Sequence, residues 1–199
     1  SGESVELIVE YSSEGSVALC GAQVGLRPPE NENTFERAIK AAEDADVVIM
    51  VVGTDEEWET EGRDRENMDL PGNQAELIRQ VSASNPRTLV VVNSGAPVTM
   101  DWVENVNAVL VSWFGGQGMS DALVDVLLGD CEPSGRLPTT FPKCLEDTPA
   151  FTNYPGENSQ VLYGEGVFVG YRWYDTRGIE VAFPFGHGLS YTTFEWGEP

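Results

Sequence analysis

The sequence predicts an α/β fold, a mostly parallel sheet flanked by helices (an α/β sandwich), with a short β segment ahead of it and an extended arm behind. Three observations carry this expectation. Continuous apolar runs rich in β-branched residues recur at "DVVIMVV" (46–52), "TLVVVN" (88–93) and "NAVLVSWF" (107–114), as in strands covered on both faces. Segments of helical period alternate with those runs. The connections are short, which makes the runs parallel strands of βαβ units.

In order along the chain, "SVELIVEY" (4–11) alternates apolar and polar side chains and predicts a half-buried antiparallel strand. "SSEGS" supplies turn chemistry and "VALCGAQVGL" (17–26) a returning strand. "RPPENEN" (27–33) is the clearest linker, so residues 1–28 stand apart from an α/β body over 29–147. Asn33 and Glu36 resemble a capping box opening a helix over "TFERAIKAAEDA", with Phe35, Ala38, Ile39 and Ala42 on one face. Gly53 ends the first buried strand. "NQAELIRQVSAS" (73–84) is the next helix, and "MSDALVDVLLG" after the "GGQG" turn is a third, closed by Gly129. Residues 148–199 are dense in Tyr, Phe, Gly and Asn without a helical period. They read as an arm wrapped over the body, and the alternation at the end of "VAFPFGHGLSYTTFEW" starts a new strand.

Thirty-three acidic residues against 11 basic ones give a formal net charge of −22. That field repels phosphate backbones and anionic lipid, so neither nucleic acid nor a membrane surface is an expected partner. No apolar run approaches the roughly 18–20 residues that span a bilayer. Cys20, Cys131 and Cys144 form no zinc spacing. Cys131 and Cys144 are near enough in sequence to bridge, but spacing does not fix their geometry. Compartment and oligomeric state are not fixed either, with a lean towards an extracellular protein.

In a doubly wound sheet, ligands bind beyond the carboxyl ends of the strands. No phosphate-cradling glycine motif follows any strand, and Ser94 and Ser112 lie in no nucleophile elbow. The single histidine, His187, sits between glycines, as a structural residue would. After Gly53, however, come eight acidic residues in fifteen positions, Asp55 to Asp69, with Trp58 and two arginines among them. Glycoside cleavage uses paired carboxyl groups, and neighbouring carboxylates raise the pKa of an acid that must stay protonated. "WETEG" adds an aromatic face for a sugar ring and a glycine for close approach. The same residues also suit a solvated acidic loop, or a weak calcium site of Asp55, Glu57 and Glu59.

"VVGTDEEWETEGRDRENMDLPGNQAELI" closely resembles the second, α/β-sandwich domain of glycoside hydrolase family 3 β-glucosidases. "VVVNSGAPVTM", "VLVSWFGGQGMSDALVDVLLGDCEPSGRLPTTFP", "LYGEGVFVGYRWYD" and "FPFGHGLSYTTFEW" agree in the same order, so the likeness spans roughly residues 34–196. Residues 1–28, with "QVGLRP", look like the closing strands of the protective-antigen-type β-sandwich that some members carry as an insert.

The resemblance implies a general acid/base at Glu61, in "TEGRDR", for retaining hydrolysis of terminal non-reducing β-D-glucosyl residues. It places Trp58 near the sugar or leaving group, and Asp64 and Arg65 as residues that shape the loop. It implies no metal and no organic cofactor. Members carry the nucleophilic aspartate on a separate (β/α)8 barrel, which this chain does not contain, and the first strand of the α/β domain ahead of the insert. The fibronectin-like domain is represented by its first few residues only. The expectation is therefore a piece of a larger enzyme, inactive without a barrel. The alternative is a non-catalytic carbohydrate- or protein-binding module, with Trp58, Tyr171 and Trp173 as its contact surface.

Overall fold

The computed structural model describes residues 8–10 and 33–198. The chain divides into two compact units, Ser1–Thr34 and Phe35–Pro199. The strands expected over 4–26 lie outside the described residues, save Ile8–Glu10, which carry no regular structure.

Three parallel strands form the sheet in chain order: β1 (Val48–Gly53), β2 (Thr88–Asn93) and β3 (Ala108–Val111). Val48 lies opposite Thr88 and Gly53 opposite Asn93, while Leu89 lies opposite Ala108. Helix α1 (Thr34–Glu43) precedes β1, α2 (Gln74–Ser84) joins β1 to β2, and α3 (Met119–Leu128) follows β3. These are the alternating elements expected from the apolar runs. Gly129 ends α3 in the left-handed conformation at φ 84°, the backbone state that glycine reaches without a Cβ penalty.

The core gathers Met50 and Val52 of β1, Val90 and Val92 of β2, Ala42 of α1, and Ile78 and Val81 of α2 around Trp102 and Phe141. Asn85, just past α2, ties α1 to this core. Its amide nitrogen donates to the carbonyls of Ala42 and Ala45 at 2.9 and 2.8 Å, and its oxygen accepts from Arg87 N–H at 2.9 Å. The amide thus gives Ala45 O a donor and adds a second, shorter bond to Ala42 O, which also accepts from Ala45 N–H at 3.3 Å.

Three features differ from the sequence reading. Strand β1 is covered on one face only: Met50 and Val52 are buried, whereas Ile49 and Val51 are 51% and 63% exposed. It is the edge of the described sheet, and a period of two sends alternate side chains to opposite faces. The third strand stops at Val111 rather than Phe114, because Trp113 takes φ 55° and turns the chain away. The C-terminal arm contains a helix, α4 (Tyr171–Arg177), and a strand, β5 (Val181–Phe183), that pairs antiparallel with β4 (Phe141–Pro142) of the body. Lys143 and Glu180 bridge that pair at 2.6 Å.

Among the described residues no helix is long and apolar enough to cross a membrane. Cys131 and Cys144 are both free thiols, so they form no bridge with each other.

Candidate functional site

The carboxyl ends of β1 and β2 bring two loops together. At the end of β1, Gly53 lies so close to β2 that a Cβ would sit 1.9 Å from the Asn93 carbonyl oxygen. Thr54 N–H donates to that oxygen at 3.0 Å. The Gln74 side chain, first in α2, donates to Gly53 O and accepts from Gly53 N–H, both at 2.9 Å. The base of the acidic loop is therefore held by backbone and by one amide.

The loop then folds on itself. Asp55 Oδ1 accepts from the N–H groups of Glu57 and Trp58 at 3.0 and 3.1 Å, an Asx-type turn. Thr60 and Arg63 pair as an isolated antiparallel bridge, which leaves Glu61 and Gly62 as the tip of a tight hairpin. Arg63 closes it further by donating to Glu57 O.

Attachments to the loop after β2 fix the hairpin from outside. Glu59 Oε1 accepts from Thr54 Oγ1 at 2.5 Å and from Gly95 N–H at 3.0 Å. Arg65 Nη1 donates to Pro97 O at 3.3 Å. Thr99 Oγ1 donates to Asp69 Oδ1 at 2.5 Å, and Thr99 N–H to Met68 O at 2.8 Å. From the arm, Tyr154 OH donates to Asp64 Oδ2. Burial draws the Arg65 guanidinium below its ordinary pKa, while the charges of Glu59 and Asp69 draw it back up. The Asp64 bond and nearby charge raise the Tyr154 phenol above its ordinary value.

The carboxylates of Asp55, Glu59, Asp64 and Asp69 thus all serve as acceptors. The Glu61 carboxylate, exposed at the hairpin tip, meets no donor among the described residues. Trp58 is half-buried, and its indole N–H is enclosed without an acceptor among the described residues. Asp64 and Arg65 both contact other segments, one the arm and the other Pro97. Among the described residues no group of His, Cys, Asp or Glu is arranged to hold a metal ion.

His187 lies elsewhere, its ring 4.9 Å from that of Phe183 and its carbonyl accepting from Leu137 N–H. Trp173 is packed rather than presented: its indole donates to Asp147 O at 3.0 Å and Arg177 lies 4.6 Å above its ring. Sequence reasoning passed over Thr54, Gln74, Gly95 and Tyr154. Their contacts join segments up to 90 residues apart, and only the glycine after β2 left a local trace.

The "Glycosyl hydrolase family 3 C-terminal domain" matches residues 5–171. The chain is 46% identical over 201 residues to a beta-glucosidase of Rhizobium radiobacter, across 97% of this chain and 25% of the relative. It is 48% identical over 168 residues to thermostable beta-glucosidase B of Acetivibrio thermocellus, across 84% of this chain and 22% of the relative. The crystal structure of a beta-glucosidase from Kluyveromyces marxianus in complex with glucose superposes with a TM-score of 0.82 at 46% identity, covering 85% of this chain and 20% of that one. The chain spans about a quarter of the length of these curated relatives.

Proposed function

Because the chain belongs to glycosyl hydrolase family 3, as its C-terminal domain, we propose that it contributes the general acid/base, Glu61, to retaining hydrolysis of terminal β-D-glucosyl residues. One observation carries the assignment. The acidic loop commits Asp55, Glu59, Asp64 and Asp69 to holding its own shape, and of the carboxylates left without a donor among the described residues (Glu56, Glu57, Glu61 and Glu66) only Glu61 stands at the tip of the closed hairpin. A proton donor must reach the glycosidic oxygen without first giving up an internal bond, and Glu61 meets that condition.

In the proposed cycle the Glu61 carboxylic acid protonates the departing oxygen while a carboxylate on the opposite face of the sugar attacks the anomeric carbon. The Glu61 carboxylate then takes a proton from water as that water displaces the enzyme carboxylate and restores the sugar. The second carboxylate must stand about 5–5.5 Å from the first across the ring. Asp55 and Glu59 belong to the same loop as Glu61 and are tied within it, so neither can take the opposite face.

The nucleophile in this reading sits on a barrel domain elsewhere in a longer protein. Two facts support such a partner: the relatives are about four times as long, and the arm exposes Leu162, Tyr163, Val167 and Tyr171 at 67%, 82%, 71% and 46%. A docked domain would cover these large apolar side chains, which fall within ten residues of one another in the arm.

Leaving-group dependence in the barrel-bearing protein tests the assignment. Glu61→Gln should lower kcat/KM of alkyl glucosides by about 10²–10⁴-fold and spare kcat/KM of dinitrophenyl glucosides, which leave without a proton. The kcat of the latter falls, because water is no longer activated in the second step. Equal loss of kcat/KM on both substrates would overturn it.

A further inference from the structure

We propose that Glu59 is a positioning residue for Glu61: a carboxylate that locks the hairpin to the rigid ends of two strands and so sets where the proton donor points. The inference rests on the Glu61 assignment and adds a second residue to it. Glu59 immediately precedes the Thr60–Arg63 bridge that closes the hairpin. Its Oε1 joins Thr54, the first residue past β1, to Gly95, the second past β2. Thr54 is itself fixed to Asn93 at the end of β2. The carboxylate therefore ties the hairpin's leading strand to the parallel sheet at both neighbouring strand ends.

The glycine is part of the device. A Cβ on Gly95 would lie 2.5 Å from Glu59 Oε2 and 2.8 Å from a ring carbon of Phe114, so any larger residue pushes the carboxylate or the ring aside. Gly95 has no left-handed φ; the requirement is close approach alone. Arg65, half-enclosed nearby, supplies a positive field to Glu59. The hairpin's other ties, Tyr154 to Asp64, Arg65 to Pro97 and Thr99 to Asp69, lie on its trailing side. They would keep the loop folded if Glu59 were lost, and the tip alone would swing. A displacement of about 1 Å at a reacting group can cost on the order of 10²-fold in rate.

The test uses the barrel-bearing protein, with Glu59→Ala, Glu59→Gln, Gly95→Ala and Glu61→Ala compared on an alkyl and a dinitrophenyl β-glucoside. Glu59→Ala should lower kcat/KM on the alkyl glucoside by roughly 10–100-fold, with kcat/KM on the dinitrophenyl glucoside near wild type. Glu59→Gln keeps an acceptor oxygen and should recover most of that loss. Gly95→Ala should reproduce the defect with Glu59 intact, which covers the case of a Glu59→Ala protein that does not fold. The proposal is overturned if Glu59→Ala and Gly95→Ala match wild type, if they lose both substrates equally, or if Glu59→Gln is as impaired as Glu59→Ala. If Glu61→Ala itself shows no leaving-group dependence, the acid/base assignment fails first and this one with it. A Glu61→Ala protein that shows it beside an unaffected Glu59→Ala sinks the positioning role alone.

Discussion

Replacing Gly53 by alanine adds one methyl group at the point where β1 hands over to the acidic loop. The new carbon would stand 1.9 Å from the Asn93 carbonyl oxygen, where ordinary contact begins at 3.4 Å. The two backbones must therefore part by about 1.5 Å, and neither is a flexible side chain that could step aside. Three hydrogen bonds sit within that displacement: Thr54 N–H to Asn93 O, and the two between Gln74 and Gly53. At about 1 kcal/mol each, their loss lowers stability by about 3 kcal/mol. Chemical denaturation of wild type and Gly53→Ala measures the change. A loss below about 0.5 kcal/mol would equal that of an ordinary surface substitution. It would refute the claim that the strand end is held by close backbone approach.

Other perturbations follow from the same contacts. Asn85→Ala removes three short hydrogen bonds, leaving the Ala45 carbonyl without a donor among the described residues and Ala42 O with only its 3.3 Å bond from Ala45 N–H; it should cost about 3 kcal/mol in urea denaturation, and under about 1 kcal/mol would contradict the role given to this amide. The Tyr154 phenol is held above its ordinary pKa by Asp64, so its contribution to stability is complete below that ordinary value of about 10 and is lost as pH rises through the elevated one. Tyr154→Phe should remove that alkaline dependence and lower stability at neutral pH, where the contribution is complete; an unchanged alkaline limb would show that the arm is not tied to the loop this way. The 199-residue protein alone should not hydrolyse aryl β-glucosides, and turnover that vanishes with Glu61→Gln would mean that the second carboxylate is supplied within this chain or its oligomer.

The parallel sheet was legible because burial dictates composition. "TLVVVN" can only be a strand with little exposed side-chain surface, and Val90, Val91 and Val92 are fully buried. The same reading misjudged β1, whose run "VVIMVV" is as apolar but whose Ile49 and Val51 face outward. Composition reports what a strand can bury, and the neighbours decide whether it does. Helix α4 escaped because seven residues, "YRWYDTR", are too few to show a period. Its one local signal was Gly178, left-handed at φ 64° just past Arg177.

Within the site, the resemblance singled out Glu61, and the pattern of carboxylates in "WETEG" did not separate it from Glu59. What separates them is tertiary: Glu59 is occupied by Thr54 and by Gly95, which lies 36 residues away. No periodicity or local motif encodes that contact. The likeness of Asp64 to a family motif carried no hint of Tyr154, 90 residues on.

The most direct measurement is azide rescue of Glu61→Ala in the barrel-bearing protein, using an aryl glucoside whose leaving group departs without protonation. A retaining enzyme that has lost its acid/base accumulates the glycosyl intermediate, because water is no longer activated. Azide needs no base and should attack that intermediate, restoring turnover and releasing β-glucosyl azide. Turnover unchanged by azide, or a product of inverted configuration, would contradict Glu61 as the acid/base of a retaining site.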